Sequence, residues 1–243
     1  MLSFDLRPLA GLIAIAGSAG ALAAGPACKV ESATTLTPVI ELYTSEGCSS
    51  CPPADQWLST LKPAAAQGKA VVQAFHVGYW DYIGWVDRFA APSHTTRQKE
   101  IAGFNRLGNI YTPQLVRNGR DSRDYGTALG GGEAARARIA LEQVAPGAFE
   151  ATVTPADGVG AWAAYWTVTE SGHSSKVKAG ENAGELLKHD FVVRQYVQAG
   201  EYRGAAPLKL RAVPREPGRE RQVNLVVFEP RTGRPLQAVS LGC

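Results

Sequence analysis

Two cysteines in the run Gly47-Cys48-Ser49-Ser50-Cys51-Pro52-Pro53 are the side chains in this sequence best suited to chemistry. A CxxC pair can cycle between dithiol and disulfide, or ligate a metal through two thiolates. Zinc takes four ligands, often as two such pairs, and no second CxxC is present. Redox chemistry is therefore the leading expectation. Cys48 thiolate attacks a partner disulfide and Cys51 resolves the mixed disulfide, or the steps run in reverse. The expected partner is a protein thiol or disulfide, and no cofactor is expected. Two alternatives stand beside this reading. One is a periplasmic metal-binding or metallochaperone role, with His76 joining the thiolates around Cu(I) or Zn(II). The other is a non-enzymatic binding protein in which the CxxC disulfide is only structural.

The flanking sequence must position the pair. Val39 to Tyr43 reads as a strand, apolar except for Glu41, and Thr44 to Gly47 as a turn. Pro52 opens a helix that runs to about Leu61, because proline is tolerated where helix N–H groups lack partners anyway. Cys48 then lies at or just before a helix N-terminus, where unpaired N–H groups and the dipole favour a thiolate. Lys69 to Val77 reads as a second buried strand, so strand, helix and strand form a right-handed parallel unit that carries His76 to the CxxC edge. Glu41, if buried, would have a raised pKa and could move the Cys51 proton; otherwise it is a strand acid reaching solvent or a lysine.

Gly78 to Phe89 holds Tyr79, Trp80 and Trp85 with no sustained helical or strand period. Such a segment either fills a satellite core or contacts substrate beside the thiols. Ser93 to Leu107 reads as a helix capped by Ser93, with His94 solvated near its start. Asn118-Gly119 marks a hairpin after Leu115-Val116, and Thr112-Pro113 precedes it, where a cis bond is an option. Gly130 to Val144 reads as a further helix, with Ala134, Ile139 and Leu141 on its buried side.

Beyond about residue 147 the pattern changes to short alternating runs separated by turns. These are Phe149 to Val153, Ala161 to Thr169, Val192 to Val197, Leu208 to Val213 and Val223 to Phe228, with a last hairpin to Leu236–Leu241. The expected domains are a leader over 1–24, a CxxC domain over 28–147 and a β-rich module over 148–243. Glu181-Asn182, between glycines, is a polar contact or an Asx-type turn.

Residues 1–24 carry Arg7, an apolar run from Leu9 to Ala16 and Ala21-Leu22-Ala23, the pattern of a cleaved signal peptide. No later segment could span a bilayer, so a periplasmic or secreted protein without membrane attachment is expected. Cys28 and Cys243 would then pair across nearly the whole mature chain, worth roughly 5 kcal/mol by loop-closure entropy. With 45 % hydrophobic residues the chain can build a core. Its 25 Lys and Arg against 22 Asp and Glu form no concentrated patch, which excludes nucleic-acid binding as an expectation.

The order of strand, CxxC, helix, strand and Thr-Pro before a hairpin resembles the thioredoxin fold. The resemblance implies that Pro113 is cis, faces the dithiol and presents a backbone edge to the partner, with Thr112 beside it. It also implies that Glu41 is the buried carboxylate behind the pair. Oxidants of that fold carry a His between the cysteines and reductants a Gly-Pro, so Ser49-Ser50 leaves the direction open. Glu41 to Asp55, His76 to Trp85, Tyr111 to Gln114 and Gly180-Glu181-Asn182-Ala183-Gly184 together resemble the secreted bacterial family called domain of unknown function 1223. The fold implied is an α/β thioredoxin-like domain followed by an antiparallel β-sandwich-like module; no substrate is implied.

Overall fold

A computed structural model describes residues 1–2 and 28–242. Most of the expected leader and Cys243, hence the Cys28–Cys243 pairing, lie outside the described residues. Strand β1 (Lys29–Glu31) is followed by β2 (Val39–Thr44), helices α1 (Pro52–Ser59) and α2 (Lys62–Ala66), and β3 (Val71–His76). Next come a 3-10 turn (Asp81–Ile83), α3 (Pro92–Phe104), and the hairpin β4 (Gln114–Arg117) and β5 (Arg120–Ser122). The rest is strand: β6 (Ala137–Ala145), β7 (Ala148–Pro155), β8 (Ala161–Ser171), β9 (His173–Lys176), β10 (Leu186–His189), β11 (Val192–Arg203), β12 (Ala206–Arg211), β13 (Glu220–Phe228) and β14 (Pro235–Leu241).

These strands overturn the expected fold class. The chain is not an α/β thioredoxin-like domain followed by an antiparallel β-sandwich-like module. It is a mostly β protein built on one mixed eight-stranded sheet in the order β14-β13-β8-β11-β3-β2-β4-β5. A four-stranded antiparallel sheet, β1-β6-β7-β12, packs against it through Trp162, Trp166, Ile139, Leu141 and Leu225. The parallel pair β2–β3 and the helix between them exist as read, but β11 continues their sheet by pairing Val192 with Ala74. Polar side chains tie this junction. Thr167 donates to Gln73 Oε1 at 2.7 Å, and Gln73 donates to the Tyr165 hydroxyl at 3.2 Å, all fully buried.

Local signals fared differently according to how local their partners are. Asn118 and Gly119 both take positive φ, 48° and 73°, as a two-residue hairpin turn requires, and β4 pairs with β5. The expected helix over 130–144 is instead β6. Ala137, Ile139 and Leu141 are buried at every second residue, and the strand is held between β1 and β7. Its Ala, Leu, Glu and Gln content favours helix, and tertiary pairing overrides that preference. The helix after Cys51 breaks at Thr60, so Pro63 opens α2 and does not end α1. Helix α3 is capped at Ala91 with no side-chain cap from Ser93.

The two faces of β2 set up everything that follows. Ile40 and Leu42 pack with Ala54 and Leu58 of α1, whereas Tyr43 packs with Ile101 of α3 on the opposite face. Strands β9 and β10 form a small separate ladder inserted between the adjacent strands β8 and β11. Because β11 begins beside the C-terminal half of β3, this excursion emerges at the edge of the sheet where β2 hands over to α1. No described helix is long and apolar enough to cross a membrane.

Candidate functional site

From Thr44 the backbone winds into α1 through three successive turn bonds: Cys48 N–H to Ser45, Cys51 N–H to Cys48, and Ala54 N–H to Cys51. This winding brings Cys48 and Cys51 together, and they form a disulfide. Both are buried, at 1 % and 0 % exposure, whereas Ser49 and Ser50 between them are exposed. The Ser50 hydroxyl lies 3.4 Å from Cys48 Sγ.

Two remote segments clamp the turn. A Cβ on Gly47 would stand 2.9 Å from the Trp80 Cβ, so only glycine lets the aromatic segment lie on the backbone there. Trp80 donates to the Thr112 hydroxyl at 2.7 Å, and the Thr112–Pro113 peptide is cis. Trp85 donates to Glu46 Oε2 at 2.7 Å. Tyr79 packs against the core cluster that holds Tyr43 and Phe75, beside the Trp80 ring. The second clamp is Gly180-Glu181-Asn182. Buried Asn182 donates to the carbonyls of Glu46 at 2.8 Å and Cys48 at 3.1 Å, and Glu181 accepts the Ser49 N–H at 3.0 Å. Glu181-Asn182 lies in a turn, with the Ala183 N–H on the Gly180 carbonyl, and also makes a polar contact, whose partner is the CxxC turn itself.

Beneath the turn lies a buried cluster of ionisable groups. Glu46 is fully buried; its Oε1 lies 3.1 Å from His189 Nε2 and its N–H donates to Asp87 at 2.9 Å. Asp87 Oδ2 also lies 2.7 Å from His76 Nδ1. The His76 and His189 rings meet edge to face at 4.9 Å, and neither His76 Nε2 nor His189 Nδ1 has a partner among the described residues. Burial alone would lower the His76 pKa, but Asp87, with Asp55 and Glu46 behind it, raises it above the ordinary value. Burial works the other way on Glu46 and Asp87, and their hydrogen bonds and the histidine charges hold both below the usual carboxylate range.

Asp55 completes this cluster. It lies one turn after Cys51 on α1, so the two side chains share a helix face. It is 7 % exposed and accepts the Thr44 hydroxyl at 3.0 Å. Burial pushes its pKa up to about 6 despite the opposing fields of His76 and His189. A groove of about 610 Å³ opens from it past Ser49 and Pro52 toward His189.

Glu41, expected behind the dithiol, is committed elsewhere. It is 1 % exposed and held by Arg97 through two contacts, at 2.9 and 2.6 Å. The hydroxyls of Tyr43 and Tyr165 donate to the same carboxylate at 2.7 and 3.0 Å. It lies on the α3 face of β2, and the geometry makes it the anchor that ties α3 and β8 to the sheet. His94 is not solvated as expected: it is 3 % exposed, its Nδ1 lies 2.9 Å from the His76 carbonyl, and burial lowers its pKa to about 4.

Residues 39–229 match the family described as "Protein of unknown function (DUF1223)". The chain belongs to this family. No curated protein matches the chain. A crystal structure of a protein from Agrobacterium tumefaciens is similar over 85 % of this chain and 94 % of its own, with a TM-score of 0.64 and 24 % identity. That likeness is one of fold. The matched DUF1223 segment contains every residue of the clamps and of the buried cluster, while Cys28 and Cys243 fall outside it.

The metal set of Cys48, Cys51 and His76 is not assembled, because both sulfurs are joined to each other and His76 is turned to Asp87. Glu170, His173 and Glu216 do converge elsewhere, with candidate ligand atoms within 4.8 Å. The Arg194 guanidinium already occupies that position, 3.0 Å from Glu216 and 3.5 Å from both Glu170 and His173. Sequence reasoning missed Asp55, Glu46, Asp87 and His189 as site residues. Asp55 was within reach of it, four residues after Cys51 on a helix. His189 was not, because only the sheet order brings it there.

Proposed function

We propose that this DUF1223 protein is an exported thiol–disulfide oxidoreductase acting through Cys48 and Cys51 on thiols or disulfides of partner proteins. The observation that carries the reading is the buried Asp55 carboxyl, with a pKa of about 6, one helical turn after Cys51. A group of that pKa can give and take a proton near neutrality, which a leaving thiolate needs and a structural bridge does not. The signal-like leader over 1–24, the disulfide, and an N-terminal helix end beside the sulfurs support the same reading.

In the exchange, a partner thiolate attacks Cys48 Sγ, the Cys48–Cys51 bond breaks, and Cys51 leaves with the electron pair and takes the Asp55 proton. A second partner thiolate then attacks the mixed disulfide and releases Cys48 as thiolate. The partner dithiol is oxidised and the CxxC reduced; the reverse sequence reduces a partner disulfide. Glu41 has no part in this proton path, being saturated by Arg97 and the two tyrosines. Thr112 acts by holding Trp80 over the turn, and Pro113 follows it through the cis peptide.

The burial of both sulfurs favours a second reading, a structural staple that holds the turn against Asn182. Equilibration of the full chain with redox buffers separates the two. A potential above about −300 mV supports exchange, and a lower one assigns the bond to structure.

A further inference from the structure

We propose that the groove between α1 and β10 binds an extended, basic, cysteine-bearing segment of a partner protein, which adds as a strand to the free edge of β10. This deepens the exchange reading, on which the partner's cysteine rests; the binding itself does not. Among the described residues, strand β10 pairs with β9 on one side only. At the end of that ladder Gly184 and Glu185 bulge opposite Val177: the Val177 N–H bonds to the Glu185 carbonyl and the Gly184 N–H returns to the Val177 carbonyl, which turns the Glu185 carbonyl toward β9. Alternation then turns the backbone N–H and C=O of Leu186 and Lys188 toward the unpaired edge. Such an edge is a template for a further strand, with main-chain bonds giving affinity and side-chain pockets giving selectivity.

The edge faces the chemistry. Every residue from Glu185 to His189 lines the groove, and the facing wall is Ser49, Pro52, Asp55 and Gln56 of the disulfide turn and α1. Its volume, about 610 Å³, is within the range of established ligand sites. Asp55, Glu181 and Glu185 line it against a single lysine, Lys188, so a segment with positive charge complements it. His189 is 2 % exposed, lines the groove and keeps Nδ1 without a partner among the described residues, an unused buried group that an incoming polar chain can meet. Leu186, 61 % exposed beside it, offers an apolar contact to the same strand.

The test uses the full chain with its disulfide intact and three fluorescent peptides of equal length. They carry lysines, glutamates or glutamines around a serine that replaces cysteine, so binding is read without exchange. The lysine peptide should bind best. Glu185→Lys, an exposed change, should weaken it about fivefold at low salt and little at high salt. N-methylation of the peptide at alternate residues in one register should abolish binding, and in the other register leave it intact. Equal binding of all three peptides, indifference to N-methylation, or no binding would overturn the proposal. If dithiothreitol reduces the disulfide in that case, exchange stands without the groove. If the lysine peptide binds but the disulfide resists reduction, the groove stands and exchange falls.

Discussion

Replacing Asp55 with asparagine should stabilise the folded protein above neutrality while slowing its exchange. The carboxyl is 7 % exposed, and burial lifts its pKa from 3.8 to about 6. That difference, roughly 2 pH units, corresponds to about 3 kcal/mol. The sign comes from proton counting. Between the unfolded value of 3.8 and the folded value of about 6, the native state holds a proton that the unfolded chain has released. Stability attributable to this group is therefore present below the window and is lost as pH rises through it. Above it, the native protein carries a buried carboxylate. Asparagine keeps a carbonyl oxygen for the Thr44 hydroxyl and carries no charge. Variant minus wild-type unfolding free energy should be near zero at pH about 3.5 and approach about 3 kcal/mol by pH about 7.5. Urea unfolding across that range, disulfide intact, measures it. Glu46 and Asp87 titrate in both proteins, while His76, whose pKa Asp55 helps to raise, carries part of the difference. A difference that is flat with pH, or negative at the upper end, would refute the reasoning.

The same substitution tests the chemistry. Asparagine cannot deliver a proton to the departing Cys51, so reduction by dithiothreitol near neutrality should slow by about 10²-fold. The wild-type rate should bend near pH 6 and the variant's should not, after correction for the thiolate fraction of the reductant. Glu41→Gln should leave that bend in place. A bend that survives in Asp55→Asn would assign the proton to another member of the cluster.

Three further substitutions probe the clamps and the anchor. Gly47→Ala places a methyl 2.9 Å from the Trp80 Cβ; it should cost about 1–3 kcal/mol in urea unfolding and speed reduction, because the aromatic segment must lift from the turn. Asn182→Ala strips a buried donor from the carbonyls of Glu46 and Cys48. A loss of about 1–3 kcal/mol is expected, again with faster reduction by dithiothreitol. Arg97→Ala leaves the Glu41 carboxylate buried with only two phenols and should cost about 3–5 kcal/mol, much of it recovered when Glu41→Leu is added.

What could be read from the sequence was what neighbours in the chain decide. The CxxC turn and the Asn118-Gly119 hairpin are closed by contacts within a few residues, the strand–helix–strand by pairs such as Val39 with Val71, and their residue types announce them. Residues 137–145 show the limit: a helix-favouring composition becomes β6 because β1 and β7, one of them over a hundred residues away in sequence, supply its ladder. The same limit hid the site's second half. Gly172 and Phe191, both at positive φ, bracket the excursion from the sheet that contains β9 and β10. Only the pairing of β8 with β11, and of β11 with β3, aims that excursion at the disulfide. Glu46 is thus bonded to His189 across 143 positions, and Asn182 reaches Glu46 across 136. The β-rich half therefore cannot be removed while leaving a working CxxC unit. It supplies a clamp on the turn, one histidine of the buried cluster and one wall of the groove, so whatever the two sulfurs do is done jointly by both ends of the family's matched segment.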